Sequence, residues 1–131
     1  MAIYLNHLAV YGTLRKGQNR NFLEEAGCRY LGNCTIYGQL WDLGPYPGYV
    51  KQRTPSEKVV VSVYRLPKKK YKKIKLLCTL DTIENYIYNR ETVICDGIES
   101  YIYTVRDWAL ERATQITTEY AADWVEWKKK G

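Results

Sequence analysis

The stretch IKLLCTLDTIENYIYNRETV (residues 74–93) decides how the rest of the chain reads. Its first half carries leucines at helical spacing, and its second half, from Tyr88, alternates and is rich in β-branched and aromatic residues. A helix therefore runs from about Pro67 to Glu84, with proline at its first turn, and passes directly into a strand over Tyr88–Cys95. Leu77, Leu80 and Glu84 then share one helix face, because residues three and four apart are neighbours there. A carboxylate on an apolar stripe is unusual. Partial desolvation raises its pKa towards neutrality, which suits a general base. Asp81, four residues after Leu77, is the alternative base or a turn cap. The plainer reading ends the helix near Asp81 and leaves Glu84 exposed or paired with Arg90.

Outward from this stretch the chain is strand-rich. After the strand Tyr88–Cys95, the pair Asp96-Gly97 marks a tight turn into a second strand, Glu99–Val105. Upstream, KVVVSVYRL (58–66) has the β-branched density of a buried strand. DLGPYPG (42–48) reads as a loop, since two prolines and two glycines interrupt regular structure. Residues 29–41 alternate loosely and read as a strand, Asn19–Ala26 as a short helix stopped by Gly27, and His7–Tyr11 as a strand. Asp107–Lys130 reads as mixed helix and coil packed by Trp108, Trp124 and Trp127. The expected fold class is α+β, a single domain over residues 1–131 with its core at about 7–105 and a C-terminal extension at 106–131.

Composition sets the outer bounds. At 131 residues, 46% hydrophobic and 26% charged, the chain is long enough for one core of ordinary globular composition. No apolar run reaches the roughly 18 residues of a membrane span, and no secretory leader is visible, so a cytoplasmic protein without a membrane partner is expected. Cys28, Cys34, Cys78 and Cys95 form no C-x-x-C pair, and His7 is the one histidine, so buried free thiols are expected and no metal is expected. The net charge of +6 gathers in Lys68–Lys75 and Lys128–Lys130. Such runs with 13 tyrosines in the chain can serve nucleic-acid binding, but a lysine run is more often a solvated helix face, so nucleic acid is the lesser reading.

Three segments carry a family resemblance. VYGTLRKG (10–17), GQLWDLGPYPGYV (38–50) and LDTIENYIYNRETV (80–93) stand in the order and spacing of the γ-glutamylcyclotransferase-like, or AIG2-like, family. Its motifs are a Y-G-[ST]-L loop, a G-x-L-[YW]-x-L-x-x-[YF]-P-G segment and an L-D-x-x-E-G-Y-x-x-Y-x-R block; ITTEYAADW (116–124) resembles its last element. The resemblance implies a small mixed β-barrel with peripheral helices. It also implies an enzyme without cofactor or metal that acts on a small-molecule γ-glutamyl substrate, releasing 5-oxoproline and an amine. By the same resemblance, Glu84 is the catalytic acid/base. Tyr11, Gly12, Thr13 and Leu14 hold the substrate through backbone groups, and Tyr88 lines the pocket. Three departures bear on the substrate rather than the fold: Asn85 in place of glycine, a shortened Tyr86–Tyr88 spacing, and Val61-Ser62 where relatives carry Gly-Glu. The rival readings are a non-catalytic small-molecule or partner-binding module on the same fold and a nucleic-acid binder using residues 68–75.

Overall fold

A computed structural model describes residues 5–12, 22–51, 57–84, 87–116 and 121–130, with the side chains of residues 83, 84 and 130 outside that description. Strand β1 (His7–Val10) lies antiparallel to β4 (Lys58–Arg65), and β4 lies antiparallel to β2 (Arg29–Asp42). Next to β2 runs β3 (Pro47–Lys51), again antiparallel. The ring closes through two parallel contacts of β6 (Ile98–Val105), Tyr49 with Thr104 on β3 and Leu8 with Tyr101 on β1. The result is a small mixed barrel of five strands, as the resemblance implies. Beyond it, β5 (Tyr88–Cys95) extends the sheet from β6, and β7 (Thr114–Gln115) pairs with Trp41 and Asp42 of β2.

Side-chain alternation sends the strands' apolar residues into two cores. One draws on every strand of the ring and includes Ala9, Leu40, Tyr49, Val61 and Ile102. The other lies between the barrel wall and the helices α1 (Phe22–Glu25) and α2 (Lys70–Glu84), where Leu23, Leu76, Leu77 and Leu80 meet Leu8, Tyr64 and Tyr101. β4 feeds both cores through Val61, Val63 and Tyr64, so its apolar run is nearly continuous. Asp96 and Gly97 both have positive φ, 49° and 80°, which is the backbone a two-residue hairpin with right-twisted strands requires. The C-terminal stretch is tied to the barrel by β7 and by Ala122, which exchanges backbone hydrogen bonds with Lys58 and Val60.

Several sequence expectations need correction. Pro47 and Gly48 belong to β3, not to a loop; the turn is confined to residues 43–46, closed by Leu43 N–H donating to the Tyr46 carbonyl at 3.0 Å. Proline is tolerated as the first residue of a strand, and Gly48 is there for space, since a Cβ would stand 2.8 Å from Val105 Cβ. The helix starts at Lys70 rather than at Pro67, which is buried beside Gly27. Helix α1 begins at Phe22; residues 19–21 lie outside the described residues. Trp108 sits on a 3₁₀ turn (Asp107–Leu110) and is 55% exposed, so it packs little. Trp124 is buried, while Trp127, on α3 (Trp124–Lys130), donates its indole N–H to Asp42 Oδ2 at 2.8 Å.

The lysine run forms a solvated face. Lys68, Lys69, Lys70, Lys72 and Lys75 are exposed, and Lys73 reaches Asn6 Oδ1 at 3.1 Å. Among the described residues no helix is long and apolar enough to cross a membrane. All four cysteines are free; Cys28 and Cys95 are buried as expected, whereas Cys34 is half-buried and Cys78 is exposed, because it lies on the solvent face of α2. Burial pushes the thiols of Cys28 and Cys95 up to about 12, so neither offers thiolate near neutral pH. An alkylating reagent at neutral pH is therefore expected to label Cys78 first and to reach Cys28 and Cys95 only on unfolding. Peptide mapping of a native time course checks this; early label on Cys28 or Cys95 contradicts it.

Candidate active site

Tyr11 leaves the end of β1 with its ring turned inward, tilted against Tyr49 at 5.8 Å between centroids. Its hydroxyl donates to the Tyr103 carbonyl on β6 at 2.6 Å. That bond ties the residue after β1 to β6. Gly12 follows, buried, and a Cβ there would stand 2.9 Å from Pro47 Cγ and 3.0 Å from Pro47 Cδ. The glycine thus permits the Pro47 ring to lie close against the backbone after Tyr11. Pro47 is held in turn: its carbonyl accepts from the Tyr88 hydroxyl at 2.6 Å, and the Tyr88 ring stacks obliquely on Tyr46 at 6.4 Å.

Tyr11-Gly12, Pro47 and Tyr88 come from three separate segments of sequence and meet at one end of the barrel. Gly12→Ala is expected to force Pro47 back, at a cost of about 1–3 kcal/mol. Thermal unfolding of the variant checks this, and an unchanged midpoint contradicts the close packing.

The other part of the site is the end of α2. The helix continues past Asp81 to Glu84, so the reading that ended it near Asp81 is overturned. Leu77 and Leu80 are buried, and position 84 stands on their face of the helix. The Glu84 side chain lies outside the described residues, as do Thr13 and Leu14 entirely.

Asp81 is engaged at both oxygens. Tyr103 donates its hydroxyl to Oδ1 at 2.6 Å, and Arg90 Nη2 lies 3.5 Å from Oδ2. A carboxylate holding two donors on a half-buried surface braces the end of α2 against β5 and β6. Arg90, considered in the sequence as a partner for Glu84, pairs with Asp81 and lies over the Tyr101 ring at 4.8 Å.

The sequence-predicted residues divide accordingly. Tyr11, Gly12 and Tyr88 come together around Pro47. Asp81, one turn before Glu84, is joined to the same region through Tyr103, whose carbonyl and hydroxyl serve Tyr11 and Asp81 respectively. Tyr88 is buried with its hydroxyl committed to Pro47, so it props the segment beside the loop. Pro47 and Tyr103 escaped the sequence reading as site residues. Pro47 sat inside a segment already read as loop, and Tyr103 is one tyrosine among many in an unremarkable strand. Among the described residues no three His, Cys, Asp or Glu side chains gather as metal ligands.

Comparison with known proteins adds a family and a fold. Residues 8–126 match the family described as gamma-glutamyl cyclotransferase, AIG2-like. No curated protein matches the sequence. Among solved structures, c4763, a protein specific to uropathogenic Escherichia coli, is similar with a TM-score of 0.76 at 21% identity, covering 96% of this chain and 97% of its own. The uncharacterized protein PH0828 from Pyrococcus horikoshii is similar with a TM-score of 0.69 at 24% identity, over 95% and 94% of the two chains. The K. lactis urea amidolyase is similar with a TM-score of 0.73 at 14% identity over 96% of this chain but 8% of its own, so the same fold occurs inside a much larger protein.

Proposed function

This chain belongs to the AIG2-like gamma-glutamyl cyclotransferase family, and from that premise we propose that it cyclises a γ-glutamyl compound. In the reaction the substrate's own α-amino nitrogen attacks its γ-carbonyl carbon. A new C–N bond closes the five-membered ring, the bond to the former amine partner breaks, and 5-oxoproline and a free amine leave. An ammonium is no nucleophile, so a base must first take its proton. Glu84 takes it and returns it to the departing nitrogen, and the net reaction consumes no water.

The observation that carries this reading is the convergence of Tyr11-Gly12, Pro47 and Tyr88 at the barrel end, with the α2 turn that leads to Glu84 bound to the same region through Tyr103. Ring closure needs orientation more than activation, since a well-placed intramolecular nucleophile gains about 7–11 kcal/mol over a free one. A rigid seat for the glutamyl moiety therefore does much of the chemistry. The backbone from Gly12 through Leu14 would hold the α-carboxylate and offer amides to the developing oxyanion.

A panel of γ-glutamyl amino acids, peptides and amines, assayed for 5-oxoproline, tests the reading. Formation of 5-oxoproline with one equivalent of amine is expected for at least one member. Tight binding across the panel without product would instead favour the non-catalytic module.

A further inference from the structure

We infer that Tyr103 is a positioning residue that sets the spacing between the substrate-binding loop and the helix carrying Glu84; the inference rests on the cyclotransferase reading. Tyr103 is bonded at both of its ends. Its main-chain carbonyl, fixed in β6, accepts from Tyr11, and its hydroxyl donates to Asp81 on the last turn of α2, each at 2.6 Å. One residue of a barrel strand thus touches the start of the loop on one side and the helix end on the other.

The grip on the helix is directional. Tyr103 and Arg90 are register partners on β6 and β5, and they take one Asp81 oxygen each. Two donors on two oxygens define the rotation of the carboxylate, and with it the rotation of the helix turn that bears it. Position 84 lies three residues on, about 60° around the helix from position 81, so any turn of the helix about its axis carries Glu84 with it. Reaction at a γ-carbonyl tolerates little of this, because an acid/base acts only within hydrogen-bond reach of the nitrogen it serves.

Arg90 supplies the means to separate position from stability. Its side chain is 11% exposed, and its Nη1 is buried with no hydrogen-bond partner among the described residues. If the Tyr103 hydroxyl is removed, Asp81 keeps its ion pair, and Nη1 offers a spare donor for the oxygen set free. Tyr103→Phe should therefore fold normally while the helix end settles in a different orientation. The carbonyl bond to Tyr11 is untouched.

The test is Tyr103→Phe against Tyr11→Phe, with steady-state kinetics and amide hydrogen exchange on each. Tyr103→Phe is expected to lower kcat by about tenfold to a hundredfold with KM changed less than about twofold, and to speed exchange in residues 80–84 without a fall in melting temperature. Tyr11→Phe, which removes the hydroxyl bond between Tyr11 and the Tyr103 carbonyl, is expected to raise KM first. Unchanged exchange at 80–84 in Tyr103→Phe overturns the inference whether or not the wild type is active. So does a parallel loss of kcat, KM and melting temperature, which a merely structural tyrosine would give. A wild type that turns over no γ-glutamyl compound overturns the cyclotransferase reading instead, and the exchange result still decides whether Tyr103 holds the helix end.

Discussion

Glu84→Gln is expected to lower the rate of 5-oxoproline formation by roughly 10²–10⁴-fold, the usual loss when a general base is removed. The amide has nearly the shape of the acid and still accepts a hydrogen bond from the substrate ammonium, but it cannot take up the proton. Substrate affinity and the melting temperature should therefore stay close to wild type. Asp81→Asn is the informative partner. Asp81 is tied to Tyr103 and Arg90, and its loss should disturb the helix end, lowering stability and lowering the rate by less than the loss of the base does. Steady-state assays of the two variants on a substrate the wild type turns over separate the roles. Activity retained in Glu84→Gln and lost in a well-folded Asp81→Asn would transfer the base to Asp81.

The largest expected effect on stability is at Gly38, in the middle of β2. Its φ is +152°, and a Cβ built there stands 2.4 Å from Tyr49 Cε1 and 2.7 Å from the Val50 carbonyl oxygen. Neither neighbour can give way easily. Val50 is a ladder partner across the β2–β3 hairpin, and the Tyr49 ring is fully buried with its hydroxyl donating to the Tyr37 carbonyl at 2.5 Å. Gly38→Ala therefore combines overpacking of about 1–3 kcal/mol with backbone strain of about 1–3 kcal/mol. Against a typical domain stability of about 5–15 kcal/mol, that lowers the melting temperature by about 10–20 °C or prevents folding. Gly32→Ala is the control: its φ is also positive, at +139°, but nothing lies within 4 Å, so only the backbone part remains. Thermal melts of the two variants compare the effects directly. Equal losses would contradict the packing account.

Much of the fold was legible in local pattern. The β-branched density of 58–66 became β4, Asp96-Gly97 turned the β5–β6 hairpin, and the leucine spacing carried α2 through to Glu84. What stayed hidden depends on neighbours distant in the chain. Pro47 and Gly48 read as breakers because nothing local reveals Val105 pressing against β3. Trp108 read as a packing residue because size and apolarity do not tell which face a short 3₁₀ turn presents. Within the candidate site, Tyr11, Gly12 and Tyr88 were found by motif, and the structure supplied the residue between them, Pro47. Choosing between Asp81 and Glu84 was beyond spacing alone, since both follow a leucine by four; the partners of Asp81, Tyr103 and Arg90, are distant in the chain and equally invisible there. Tyr103 had no signal, because its bonds to Tyr11 and Asp81 span 92 and 22 positions.

The central claim is intramolecular attack without water, and turnover in ¹⁸O-labelled water tests it most directly. A γ-glutamyl substrate is incubated with the wild-type protein, and the products are weighed by mass spectrometry. The account predicts 5-oxoproline free of solvent oxygen, because the ring carbonyl keeps the oxygen of the substrate's own γ-carbonyl. Glutamate carrying one labelled oxygen would contradict it, since that product requires water, not the α-amino group, to attack the carbonyl.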